Sequence, residues 1–150
     1  MNIRKEYKEL LHKIRKACEE IDMTQSNNLL KIVNVTRLKG KFNCIDFYDN
    51  FIPNEDRPYS ILNTDRESDI GNGTHFLGVF QEGNVIYIYD SFGRKHIMDR
   101  LCDDMHKLGY KCEYVNKKSD QQNTGQDCGI RSLLWLLFVQ RYGIQQAKKI

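Results

Sequence analysis

The sequence predicts an α+β fold, and three observations predict it. Strand-like segments rich in Val, Ile, Tyr and Phe are grouped between residues 59 and 115. Amphipathic helical periodicity marks the beginning of the chain and one segment among the strands. From Cys128 onward the chain is apolar at nearly every position. With 150 residues, a single domain over 1–150 is expected. A chain of this size buries about 68–70% of the surface that its unfolded form exposes, so its core needs no disulfide or metal.

Taken in order, Ile3, Tyr7, Leu10, Leu11, Ile14, Cys18 and Ile21 recur at steps of three and four, which predicts a helix over 3–21 with Cys18 buried on its apolar face. After a polar break at 23–28, the apolar run Leu29 to Val35 reads as a helix end or a strand, and residues 1–40 form an N-terminal helical region. Residues 41–58 carry Phe42, Phe47, Tyr48, Phe51, Pro53 and Pro58 and read as loops and short elements, with Cys44 a packing residue. Tyr59 to Asn63 is a strand, and the acidic, glycine-containing stretch 64–73 is a loop. His75 to Phe80 is a second strand, 81–84 a hairpin turn, and Val85 to Tyr89 a third strand central to the sheet. Ile97, Met98, Leu101, Cys102, Met105 and Leu108 give an amphipathic helix ended by Gly109, with Cys102 on its packed face. Tyr110 to Val115 is a fourth strand, and 116–127 a polar loop. The helix beginning at Cys128 is apolar nearly all round, so it must be enclosed by other elements.

Composition narrows the classes of function. The longest apolar run, Leu133 to Val139, is far shorter than the roughly 20 residues that cross a bilayer, and the charged start Met1-Asn2-Ile3-Arg4-Lys5-Glu6 is unlike a signal peptide. Five cysteines, an odd number without close pairing, argue for reduced thiols and an intracellular, reducing setting. No C-x-x-C occurs and the histidines have no ligand-like spacing to the cysteines, so no metal is expected. The net charge is +3, and residues 1–16 carry six basic and two acidic side chains, a solvated helix face that could also form a weak polyanion-binding surface.

The residues with chemistry to offer are Cys128, His75, Asp90 and Gln122. Only a thiolate is an effective nucleophile, and a free thiol is mostly protonated at neutral pH. A helix N-terminus and a neighbouring imidazolium both favour the thiolate. Cys128 stands at a helix start, and His75 opens a strand after a glycine-containing turn. Asp90 ends the neighbouring strand. A turn at 82–83 makes residues whose numbers total about 165 cross-strand neighbours, which sets Asp90 opposite His75 to orient the imidazole. A glutamine amide upstream of the cysteine could aim at an oxyanion together with the Cys128 N–H. Gln121, Gln122 and Gln126 all qualify on spacing alone. His96 and His106 read as surface residues.

The order His, Asp, Gln, Cys, with Gly73-Thr74-His75-Phe76 before a hairpin, Tyr89-Asp90-Ser91-Phe92-Gly93 after it, and Gln122 six residues ahead of Asp127-Cys128-Gly129, resembles the adenain/ubiquitin-like-protease clan of cysteine proteases. The resemblance runs from about Tyr59 to Tyr142, the expected catalytic core. It implies a central mixed sheet flanked by helices, with the nucleophile at the N-terminus of a buried helix. It implies Cys128 as nucleophile, His75 as base and acid, Asp90 as its orienter and Gln122 as the oxyanion donor. Phe76 stands where the clan often has Trp. The clan cuts after glycine in extended substrates.

With 74 residues before His75 and 22 after Cys128, the chain is short for a cellular deconjugase and is similar to the maturation proteases of adenoviruses, large DNA viruses and virophages. The expected function is a monomeric cysteine endopeptidase cleaving viral capsid or core precursors after glycine, in the host cytoplasm or nucleus and in the virion. It is expected to need no cofactor, with stimulation by DNA or an activating peptide implied by the adenovirus-type enzymes and a weak DNA contact through the basic N-terminal helix. The alternatives are a deconjugase of SUMO- or ubiquitin-like modifiers, and a binding module or acetyltransferase on the same scaffold.

Overall fold

A computed structural model describes residues 2–18, 26–64, 75–91, 95–115 and 128–150, the side chains of 95–97 excepted. The first helix, α1, covers Ile3–Ala17. Asn2 caps it, its side chain accepting from the Lys5 N–H at 3.2 Å, and the Cys18 N–H closes it by donating to the Ile14 carbonyl at 2.9 Å. Glu6 in the first turn and Arg15 and Lys16 in the last turn match the helix dipole. It buries Ile3, Tyr7 and Leu11, one face at four-residue steps. The expected extension past Cys18 lies outside the described residues, and Cys18 itself is only partly buried.

The run from Leu29 resolves as a helix, α2, over Ser26–Val33, with Leu29 and Val33 fully buried. A strand follows in the stretch expected to hold loops and short elements: β1, Phe42–Phe47. Asn43 and Asp46 interrupt its apolar pattern, and only Phe42 is buried, because β1 is an edge strand with one neighbour. Next come β2, Tyr59–Asn63, with all five residues buried, β3, Phe76–Glu82, and β4, Val85–Tyr89. The hairpin between β3 and β4 turns at Gly83-Asn84, later than expected. Gly83 has φ 60° at the first central position, as a type II′ turn requires. Helix α3 spans Lys95–Lys107, and Gly109, at φ 91°, ends its closing turn in a conformation glycine adopts without steric cost. Strand β5 is Lys111–Tyr114, α4 is Cys128–Tyr142 and α5 is Ile144–Ala147.

The strands form one five-stranded mixed sheet in the order β1-β2-β3-β4-β5, parallel at β1/β2 and β4/β5 and antiparallel between. The middle strand is thus β3, with β4 beside it. Alternation along the strands feeds two apolar clusters, one per face. On one face Tyr59, Ile61, Phe76, Phe80, Tyr87 and Tyr89 pack with residues of α1, α2, α4 and α5. On the other, Leu62, Leu77, Val79, Ile86 and Ile88 pack with Met98, Leu101, Cys102 and Met105 of α3 and with Tyr48 and Phe51. The fold is therefore α+β.

Helix α4 lies against β3. Gly78, at the centre of that strand, leaves room for it: a Cβ there would come within 3.1 Å of the Trp135 ring and 3.3 Å of the Ser132 carbonyl oxygen. Trp135 is fully buried, stacks on Tyr89 with centroids 5.4 Å apart and planes 9° apart, and donates its indole N–H to the Ala147 carbonyl at 3.3 Å. The Ser132 hydroxyl, also fully buried, donates to the Phe76 carbonyl at 3.2 Å. A deep helix is thereby fixed to the strand whose first residue follows His75.

Candidate active site

His75 immediately precedes β3 and Asp90 immediately follows β4, so both stand at the same end of the antiparallel pair. The His75 carbonyl accepts from the Thr64 N–H at 2.9 Å, continuing the β2/β3 ladder and fixing the backbone there. His75 Nε2 and Asp90 Oδ1 are 2.5 Å apart, and the two residues are 5% and 0% exposed. A carboxylate this deep and this close favours the charged imidazole.

The register that brings them together differs from the expected one. Gly78 lies opposite Tyr89 and Glu82 opposite Val85, a slip of two residues caused by the later turn. A slip of two preserves which side of the strand each residue faces, whereas a slip of one would have separated the pair. His75 and Asp90 meet diagonally beyond the last ladder pair rather than directly across it.

Cys128 is the first residue of α4 and is 2% exposed. Its side chain is close enough to that of His75 to act on the imidazole's pKa. Burial pulls the His75 pKa down, but hydrogen bonds to Asp90 and Cys128 and the charges of both outweigh it, and the net displacement is upward. The arrangement is thus a buried imidazole between a carboxylate and a thiol, with the thiol on the first turn of a helix whose leading N–H groups have no intrahelical acceptor. Such a set can move a proton between sulfur and nitrogen and can favour negative charge near the helix start.

Of the four candidate residues, the structure brings His75, Asp90 and Cys128 together. Gln122, its competitors Gln121 and Gln126, and Asp127 and Thr74 lie outside the described residues. Phe76 is fully buried in the core cluster that includes Cys128. His106 is exposed, and the side chain of His96 is outside the described set. The remaining thiols differ in setting. Cys44 is half-buried on β1, with its pKa raised by burial. Cys102 and Cys112 hydrogen-bond to each other across α3 and β5, on the sheet face that carries the other cluster.

Sequence reasoning missed a set of supporting residues. Tyr89, next to Asp90, has its hydroxyl 3.2 Å from that of Tyr7 on α1, and the Tyr7 hydroxyl donates to the Arg131 carbonyl on α4 at 3.2 Å. Ser132, one helical turn past Cys128, ties α4 to the Phe76 backbone. A lone serine in an apolar helix was the only available signal. Among the described residues no group of three or more His, Cys, Asp or Glu could hold a metal ion, and no helix is long and apolar enough to cross a membrane.

No family model, curated protein or solved structure matches this chain.

Proposed function

We propose that the protein is a cysteine endopeptidase. The observation that carries the reading is the buried His75–Asp90 pair at 2.5 Å with Cys128 as the imidazole's second partner. With Nε2 engaged by Asp90, Nδ1 is the ring nitrogen left to exchange a proton with sulfur. The Cys128 thiolate adds to the scissile carbonyl carbon, and the oxygen takes the negative charge beside the Cys128 N–H, with the Gln122 amide as second donor. The imidazolium then protonates the leaving amine as the C–N bond breaks, leaving a thioester. Water, losing a proton to His75, attacks the thioester and releases the acid and the thiol.

The finer reading rests on the sequence resemblance: an adenain-like fold, cleavage after glycine in extended protein substrates, and a role in viral maturation with DNA or a peptide as activator. The test is mass spectrometry of a mixed panel of glycine-containing extended peptides and folded ubiquitin-like fusions. The panel is digested by the wild type and by Cys128→Ala, with and without duplex DNA. Peptide cleavage after glycine, abolished in the variant, is the expected result. Cleavage of the folded fusions alone would move the assignment to a deconjugase. Cleavage that survives in Cys128→Ala would overturn the proposal.

A further inference from the structure

Two of the thiols that the proposed chemistry does not use, Cys102 and Cys112, are set against each other by the way α3 turns into β5. The Leu108 and Tyr110 N–H groups both donate to the Met105 carbonyl, and the Gly109 N–H donates to the His106 carbonyl, each at 3.0 Å. The chain therefore folds back along itself, and farther from this turn the Tyr114 hydroxyl donates to the Asp99 carboxylate. Between those two ties, Cys102 is one helical turn from Asp99, and Cys112 is two residues from Tyr114 on the same side of the strand. Three helical residues rise about 4.5 Å, and two strand residues cover about 6.7 Å. The two cysteines thus come opposite each other, one step nearer the turn than the Asp99–Tyr114 bond.

Both side chains join the apolar cluster on the α3 face of the sheet, Cys102 buried within it and Cys112 half-buried beside it. They are close enough for each to act on the other's acidity: Cys112 lowers the Cys102 pKa, and Cys102 raises that of Cys112. One sulfur is favoured as thiolate and the other is kept as thiol, which are the states of an attacking and a resolving cysteine. The other thiols stand elsewhere. Cys44 is on β1, four strand spacings from β5 and so about 19 Å across the sheet. Cys18 and Cys128 pack with the cluster on the opposite face.

We propose that Cys102 and Cys112 are a peroxide-oxidisable dithiol that closes to a disulfide clip between α3 and β5. The Cys102 thiolate attacks one oxygen of hydrogen peroxide; an S–O bond forms, the O–O bond breaks, and the departing hydroxide takes up the proton that the thiol gave, leaving as water. The Cys112 sulfur then attacks the Cys102 sulfenic acid. The S–S bond forms, the S–O bond breaks, and hydroxide leaves with the Cys112 proton as a second water. Two electrons pass from the dithiol to one peroxide. The clip joins a helix to an edge strand across a short loop, so it removes freedom from the unfolded chain while bridging elements already packed together. It does not depend on the peptidase reading, because Cys128 lies on the other face of the sheet.

The test is non-reducing digestion and mass spectrometry of the full chain after a small molar excess of hydrogen peroxide, with thermal unfolding before and after. The expected result is a peptide pair linked through Cys102 and Cys112, two hydrogens lighter than the free pair and released by dithiothreitol. Tm should rise by about 5–10 °C, as a loop of this length implies. Cys128→Ala should form the same link, which separates this pair from the candidate active-site thiol. Cys112→Ser, a small change at a half-buried position, should lose both the link and the Tm rise and carry oxygen adducts on Cys102 instead. The proposal fails if peroxide leaves Cys102 and Cys112 unlinked in the folded chain, if Cys44 or Cys18 is oxidised before them, or if the linked chain melts no higher than the reduced one.

Discussion

Gly78→Ala tests the contact that positions Cys128. The backbone at Gly78 is extended strand, so conformation is no obstacle, and space alone decides the outcome. The added methyl would stand 3.1 Å from Trp135 Cε3, 3.3 Å from the Ser132 carbonyl oxygen and 3.6 Å from the Ser132 Cα. Carbon atoms are at ease near 3.5–4.0 Å. Trp135 cannot turn aside, because it is fully buried, stacked on Tyr89 and hydrogen-bonded to Ala147. The Ser132 carbonyl belongs to the helix backbone. Helix α4 must therefore back away from β3 by several tenths of an ångström. Overpacking of this kind costs about 1–3 kcal/mol, and alanine's smaller unfolded-state entropy returns about 0.4–1 kcal/mol. Taking the middle of each range leaves about 1.3 kcal/mol of net destabilisation, or roughly 3–5 °C in Tm for a domain of this size. Calorimetry and urea unfolding measure it, and the cost should shrink in a Trp135→Phe background. A Tm that is unchanged or higher in Gly78→Ala would refute the claim that α4 and β3 are in close contact there.

Proton NMR should find the His75 imidazole titrating above the ordinary histidine pKa of about 6.5, and Asp90→Asn should lower it, since Asp90 supplies both a hydrogen bond and charge that raise it. A folded-state pKa above the unfolded value means that this group's contribution to stability is complete below about pH 6.5 and is lost as pH climbs through the folded pKa. Urea midpoints measured from pH 5 to 9 should show that loss in the wild type and less of it in Asp90→Asn; a wild-type His75 titrating below 6.5 would contradict the geometry. Ser132→Ala removes the hydroxyl that bonds the Phe76 carbonyl and should cost about 1 kcal/mol, with kcat falling by more than KM changes if the peptidase reading holds. Cys112 has its pKa raised chiefly by its hydrogen bond to Cys102, then by burial. Cys102→Ala should therefore speed alkylation of Cys112 at fixed pH, as followed by peptide mass spectrometry, and an unchanged rate would count against a thiol–thiol contact.

Local patterns in the sequence carried a good deal of this. Strands β2 and β4 occupy the expected residues because continuous β-prone runs bounded by polar residues have few other readings. Gly109 ends the α3 turn for the reason its position suggests. The pairing of His75 with Asp90 survived a wrong turn position because the error was an even number of residues. Strand β1 was not legible: its polar Asn43 and Asp46 match no strand pattern, and only the exposed β2 edge waiting beside it makes extension favourable. Whether Leu29 to Val33 became helix or strand was undecidable from a short apolar run, and burial against α4 resolved it. The Tyr7–Tyr89–Arg131 connection joins three distant segments, and no window of sequence contains it.

The position of Cys128 depends on a match between two periodicities. Cys128, Ser132 and Trp135 are spaced by four and three residues and so share one face of α4. Along β3 they meet, in the same order, His75, Phe76 and Gly78. Seven helical residues rise about 10.5 Å, and three strand steps cover about 10 Å. The helix and the strand therefore stay in register over that distance, and Trp135 against Gly78 at one end sets where the thiol stands at the other. A glycine in mid-strand and a tryptophan in mid-helix each look like ordinary core residues when read alone. Together they fix the spacing at which a thiol on α4 meets an imidazole ahead of β3, which makes the packing of this helix as much a part of the candidate site as the residues that would do the chemistry.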